Sequence, residues 1–216
     1  MINASQLSVS HEGDPLVASA EEIQQRVYET ADEILNWWGL TKDANRLFLA
    51  GLATAALPFV ADLSRAMWKM DHARYVNFDL QPIVKGNRHV RPQSQVATWL
   101  RNIHWPTTHP NKEVVLAVDT ILDTGETLIE AFEQFRPRPV GSVVLFCKSR
   151  EALNLVVKET GCPVLYAWQT WETLPHWLYG YGTDAGDHSS RGCPAMRAVT
   201  SQGTFVDRGL GGIEKP

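Results

Sequence analysis

One segment, Glu113 to Thr127 (EVVLAVDTILDTGET), constrains the fold of this chain more than any other. Glu113-Val114-Val115-Leu116-Ala117-Val118 is an almost unbroken apolar run, the pattern of a strand covered on both faces, as parallel sheets require. A turn over Asp119 to Gly125 follows, and Leu128, Ile129, Phe132 and Phe135 then mark a helix ending before Pro137. Ser142 to Cys147 predicts a further strand. Ser149 caps a helix through Lys158 that Gly161 closes, and Val164 to Trp168 predicts another strand. Strand, helix, strand, helix, strand in this order predicts an α/β fold, a doubly wound parallel sheet flanked by helices. In such sheets ligands sit at the carboxyl ends of the strands.

The first half extends the pattern. Residues 1–18 lack periodicity and are expected to form a loose arm. Ser19-Ala20-Glu21-Glu22 reads as a capping box, with Ile23, Val27, Ala31, Ile34, Leu35 and Trp38 giving the helix one apolar face up to Gly39. Arg46 to Ala53 predicts a buried strand, Ala55 to Met70 a helix, and Arg74 to Leu80 another strand. The stretch 81–110 is rich in Pro, Gln, His and Arg and predicts a long mobile loop. The stretch 171–216, rich in Gly, Trp and Tyr at its start, predicts a small C-terminal cap, or hood, over the ligand edge.

Composition narrows the function. With 20 Lys+Arg against 24 Asp+Glu, the net charge of −4 argues against coating nucleic acid. The longest apolar stretch, Leu47 to Ala61, is broken by Gly51, Thr54 and Pro58 and is too short to span a bilayer. No basic start leads into an apolar run, and the three cysteines have no CxxC spacing, so neither a secretory signal nor a disulfide or zinc framework is expected. These features predict a cytoplasmic protein. Its eight tryptophans fit a core or an interface, or a ring stacking on a base.

Asp123-Thr124-Gly125-Glu126-Thr127 lies between a strand and a helix, where unpaired amides bind phosphate. Thr124 and Thr127 add hydroxyl donors, and Gly125 allows close backbone approach. The chain has no Walker A loop. Asp123 is out of place as a phosphate ligand, because a carboxylate repels a dianion; it suits a general base, or simply a cap for the following helix. The Asp-Thr-Gly of aspartic proteases needs two such loops, and this chain has one, running straight into an amphipathic helix.

At this motif the chain resembles the type I phosphoribosyltransferases, specifically their hypoxanthine-guanine (6-oxopurine) branch. The family signature is an apolar strand, two acids, two apolar residues, then Asp-Thr-Gly-x-Thr. Further resemblance lies in LVASAEEIQQRVYETADEI, LFLAGLATAALPFVADLSRAM, VVLFCKSR and WLYGYGTDAGDHSSRG, in the family's order and covering roughly residues 16 to 192. The resemblance implies a single phosphoribosyltransferase-like domain over 19–216, joining phosphoribosyl pyrophosphate to hypoxanthine, guanine or xanthine with Mg²⁺ as cofactor. It also implies a homodimer or homotetramer.

Residue by residue, the resemblance gives the 5′-phosphate to Asp123, Thr124, Gly125, Glu126 and Thr127, with Asp123 also the base toward the purine imidazole. It gives the ribose and metal to Asp119 and Thr120, and a second Mg²⁺ to Asp184. Lys148 would donate to the purine 6-oxygen, Trp177 would stack on the ring, and Leu178 beside it completes the purine site. Thr54, Ala55 and Arg191 would meet pyrophosphate. Three departures stand out. Thr120 replaces the usual second acid, Thr54-Ala55 replaces a lysine and glycine, and the Ser-Tyr pair of the family's mobile loop is missing, with Gln81 to Pro110 in its place. Lys85, Arg88, Arg91 and Arg101 of the long loop are candidates to cover the pyrophosphate instead. The rival function is a non-catalytic nucleotide or phosphoribosyl pyrophosphate sensor on the same fold.

Overall fold

The computed structural model describes residues 16–39, 46–52, 54–70, 75–81, 113–134, 140–169, 177–183, 189–199 and 209–214. The main sheet holds β2 (Arg46–Leu52), β3 (Tyr75–Gln81), β4 (Glu113–Leu122), β5 (Gly141–Cys147), β6 (Val164–Gln169) and β9 (Gly209–Glu214). Their order across the sheet is β3-β2-β4-β5-β6-β9. The first five run parallel, and β9 closes the far edge antiparallel to β6. The parallel strands therefore start from β2, step outward to β3, then reverse to β4, β5 and β6, which puts the topological switch point between β2 and β4.

Alternating side chains divide the core in two. Leu47, Leu49, Val114, Leu116, Val118, Val143 and Leu145 face α1 (Ala20–Gly39) and α2 (Leu57–Met70). Phe48, Ala50, Val115, Ala117 and Val144 face α3 (Glu126–Gln134) and α4 (Arg150–Thr160). This is the doubly wound arrangement that the apolar runs predict. The capping box forms as written: the Ser19 amide donates to Glu22 Oε2 at 2.8 Å and the Glu22 amide to Ser19 Oγ at 3.1 Å. Ser149 caps α4 by accepting from the Ala152 amide at 3.0 Å.

Four features differ from the sequence expectations. Leu16–Ala18, the end of the expected loose arm, forms β1 and pairs antiparallel with β8 (Met196–Val199). β8 in turn pairs with β7 (Trp177–Tyr179), so β1, β8 and β7 make a second, three-stranded sheet. β4 runs on through Leu122 instead of turning at Asp119, because Asp119, Ile121 and Leu122 pair with Val144, Phe146 and Cys147 of β5. Finally, 209–214 belongs to the main sheet as β9 and not to the hood. The segment beyond Gln81 expected to form the long loop, with Lys85, Arg88, Arg91 and Arg101, lies outside the described residues.

The small sheet is bolted to the domain at two points. Val17, Ala18, Leu178, Met196 and Ala198 are buried in the α1/α2-side core. Beyond β7, Tyr181 donates its hydroxyl to Asp62 Oδ2 of α2 at 2.7 Å. Burial, then the bond to Asp62, holds the Tyr181 hydroxyl protonated well above the usual tyrosine range. Its stabilising effect is thus full below the unfolded tyrosine value of about 10 and is lost as pH rises beyond it. Tyr181→Phe is expected to cost about 1–2 kcal/mol in urea unfolding at pH 8. The gap between parent and variant should shrink above pH 10; a gap constant across that range would contradict the raised titration of the hydroxyl, and no gap at pH 8 would show that it contributes nothing.

Candidate active site

The site assembles where the sheet reverses. The turn after β2 is a single 3-10 turn, Thr54–Ala56, running straight into α2. The turn after β4 is Asp123-Thr124-Gly125, running straight into α3. The turn after β4 presents the first amides of a helix, which have no partner within it and attract anions. Gly125 is required in its turn on two counts. Its φ of +83° is left-handed, and a Cβ there would meet Val156 Cγ2 of α4 at 2.7 Å. Its carbonyl accepts the Ile129 amide at 3.0 Å, which starts α3 immediately behind the turn. The Thr124 hydroxyl receives the Glu126 amide at 3.5 Å, a long contact that leaves the turn shaped mainly by its backbone.

Asp123 and Lys148, 25 residues apart, end adjacent strands and meet across the edge: Lys148 Nζ lies 3.1 Å from Asp123 Oδ1. Asp123 is exposed, at 62 % of its side-chain surface, whereas Lys148 keeps only 10 %. The lysine amide donates to the Leu122 carbonyl at 2.9 Å, so the main chain fixes where the lysine leaves the sheet. The pair thus presents one ammonium donor and one carboxylate acceptor side by side, at the turn after β4.

Asp119 is half-buried in β4, with its Oδ1 accepting the Thr120 amide at 2.7 Å. The Thr120 side chain is fully buried, and its hydroxyl donates to the Ala55 carbonyl at 2.8 Å. Leu178 packs in the core, so only its backbone is left to face a base. Trp177 starts β7, with its side chain outside the description. Arg191 is partly buried in the 3-10 turn Ser189–Gly192, and its carbonyl accepts the Gly182 amide at 3.1 Å. Gly182 in turn packs on Ala55, so the hood brings Arg191 to the turn after β2. Asp184, Asp187 and His188 lie outside the described residues, and no three His, Cys, Asp or Glu side chains gather as a metal site among the described ones.

Two positioning elements escaped the sequence reading. Gly180-Tyr181-Gly182 all have positive φ, and this tight turn carries the hood onto α2 and the Ala55 turn. Asp62, which anchors Tyr181, is otherwise an unremarkable helix residue paired with Arg65. A separate shallow cleft, lined by Glu33, Trp37, Ser142 and Pro163 among others, opens at the amino ends of β5 and β6. It lies at the opposite end of the sheet from this chemistry.

Comparison with known proteins follows the same outline. A hypoxanthine phosphoribosyltransferase from Trypanosoma cruzi, a point variant complexed with its product IMP, superposes with a TM-score of 0.61 at 22% identity, covering 89% of this chain and 95% of that one. The same enzyme solved at 1.4 Å gives 0.58 at 23% identity, covering 86% and 95%. A third T. cruzi structure, concerned with the role of the C-terminal region in oligomeric state and activity, gives 0.60 at 24% identity, covering 86% and 91%. At these identities the likeness establishes the fold. No curated protein sequence matches the chain. The family model of the phosphoribosyl transferase domain matches residues 19–179, from the capping serine to the end of β7, and the chain therefore belongs to the phosphoribosyl transferase domain family.

Proposed function

We propose that this protein transfers the phosphoribosyl group of phosphoribosyl pyrophosphate to a 6-oxopurine, releasing pyrophosphate and a nucleoside 5′-monophosphate. The observation that carries this reading is the Asp123–Lys148 pair, 3.1 Å apart at the carboxyl edge of β4 and β5. A 6-oxopurine presents an acceptor oxygen and, on the imidazole nitrogen of the same edge, an N–H donor. An ammonium beside a carboxylate is the complement of that edge. In the free protein the two side chains satisfy each other. The purine replaces that contact, its oxygen taking Lys148 and its N–H turning to Asp123.

The reaction forms the bond from purine nitrogen to the ribose anomeric carbon and breaks the bond from that carbon to pyrophosphate. Pyrophosphate leaves with the electron pair, and Asp123 receives the imidazole proton. The amides of residues 124–127 hold the 5′-phosphate and so fix the ribose in line with the purine. Mg²⁺, when bound with the substrate, supplies neutralisation of the pyrophosphate charge. Mg²⁺ typically takes one or two carboxylates together with substrate phosphates. Asp119, a hard oxygen donor at the ribose side of the site, fits that role, with Asp184 as the second carboxylate that the family resemblance implies.

Purine choice tests the pairing. Adenine offers an amino group where hypoxanthine offers an oxygen, so Lys148 would face a donor. Adenine is expected to be turned over at least about 10²-fold more slowly than hypoxanthine, the scale on which sites built for one hydrogen-bonding pattern reject its opposite. Equal rates would show that Lys148 does not read the ring. The sensor reading is favoured by the two threonines, Thr54 and Thr120, that stand where charged residues are usual in the resembling family. Binding of phosphoribosyl pyrophosphate without turnover of any purine would establish it.

A further inference from the structure

We propose that the outward face of α2 is the surface on which two copies of this chain associate, their helices packing antiparallel about a two-fold axis. The core face of α2 is Phe59, Val60, Leu63, Ala66 and Met67, all buried. Leu57, Ala61, Ser64 and Trp68 recur at spacings of three and four, so they form one line down the helix, turned away from that face. Leu57 at one end of the line is exposed. Trp68 at the other is 59 % exposed, the highest value for a large apolar residue among the described ones. A lone exposed leucine on a surface needs no explanation. An exposed tryptophan is the residue type in which interfaces are enriched, and here it is aligned with a leucine about three turns away.

The line is complementary to itself. Two-fold association places the same patch on both subunits, so the patch must match its own copy. Run antiparallel about an axis midway along α2, it pairs Leu57 with the partner's Trp68 and Ala61 with the partner's Ser64. The small central residues let the helices approach to the close end of the usual range, about 8 Å, and an indole then covers a leucine at each end. The same axis matches charge. Asp62 and Arg65 flank the line on one side and are paired within the helix, yet Arg65 remains 71 % exposed. The antiparallel pairing brings Arg65 level with the partner's Asp62, with an axial offset of roughly 3 Å against roughly 8 Å to the partner's Arg65. One centre thus serves both the apolar and the charged pairs, which a second copy satisfies and an unrelated surface has no reason to.

The interface reaches the hood. Asp62 also accepts the Tyr181 hydroxyl, the bond that fastens the hood to α2. A second guanidinium, from the partner, gives that carboxylate another charge-assisted contact, so association braces the hood anchor. The inference goes beyond the proposed reaction and does not depend on it, since neither substrate takes part in the contact.

Sedimentation equilibrium of the full chain, loaded from about 1 to about 100 µM, tests the face. The parent is expected to populate a dimer in this range. Trp68→Glu should raise the dimer dissociation constant at least about 100-fold, because both copies lose an anchor of the kind that dominates interfaces. Trp68→Ala, which adds no charge and favours the helix, repeats the test should glutamate disturb α2. Arg65→Ala should weaken association about fivefold and reduce its dependence on salt. Leu155→Glu is the control: Leu155 is exposed too, but on α4, which covers the other face of the sheet, so this variant should associate like the parent. A parent that stays monomeric throughout, or folded Trp68 variants that associate like the parent, would overturn the proposal. Equal loss of association in Leu155→Glu would overturn it as well, by showing that the contact is not confined to α2.

Discussion

Asp123→Asn is expected to lower kcat for nucleotide formation by about 10²-fold or more, the usual scale of a lost general base. The KM for phosphoribosyl pyrophosphate should hardly rise. Asparagine has the shape of aspartate, and Asp123 is an exposed residue whose side chain supports no core contact, so the fold should not change. Its amide oxygen can still accept from Lys148, but it takes no proton from the purine. The backbone amides of the turn, proposed to hold the phosphate, are untouched, and a bound dianion would lose a repelling neighbour. A large fall in kcat with a constant or lower KM is thus the signature to look for in steady-state rates. A folded variant with unchanged kcat would remove Asp123 from the chemistry.

Gly182→Ala is expected to lower stability strongly. The added Cβ would sit 2.2 Å from Ala55 O and 3.1 Å from its carbonyl carbon, and both are backbone atoms that cannot swing aside. Overpacking of this kind costs about 1–3 kcal/mol, and the left-handed φ of +94° adds roughly 1 kcal/mol for a residue with a Cβ. Gly161→Ala provides the control. It shares the positive φ, at +67°, but nothing lies within 4 Å of its Cβ. Urea unfolding should therefore show a loss of about 1 kcal/mol for Gly161→Ala and on the order of 3 kcal/mol for Gly182→Ala. The second variant alone should also bind phosphoribosyl pyrophosphate weakly, because relief of the clash moves either the hood or the Ala55 turn. Equal losses in the two variants would show that the hood does not bear on the site.

What could be read from the sequence follows from how local its causes are. The apolar runs of β2, β4, β5 and β6 declare themselves because a parallel strand must be apolar on both faces. The capping boxes and helix stripes show because their partners lie three and four residues apart. From the parallel order alone, Asp123 and Lys148 fall at the ends of consecutive strands, so their meeting was implicit in the motif spacing. β9 was hidden because Gly209, Gly211 and Gly212 have little intrinsic strand preference, and pairing with the exposed edge of β6 supplies the order. β1 is three residues long, too short for any period to show. The polar Asp119 and Thr120 look like the start of a turn, yet β5 holds that stretch in the sheet through Leu122. Thr120 could not be assigned from its neighbours at all, since its partner is a carbonyl in a different loop of the switch point. The same holds for Tyr181 and Asp62, 119 residues apart.

The central claim is the reaction, and a product assay addresses it most directly. The protein is incubated with phosphoribosyl pyrophosphate, Mg²⁺ and, in separate tubes, hypoxanthine, guanine, xanthine and adenine, and nucleotides and pyrophosphate are quantified. The account predicts a nucleoside 5′-monophosphate and pyrophosphate in equal amounts with at least one of the three oxopurines, little product with adenine, and none after chelation of the metal. Binding of phosphoribosyl pyrophosphate with no nucleotide from any oxopurine would contradict it.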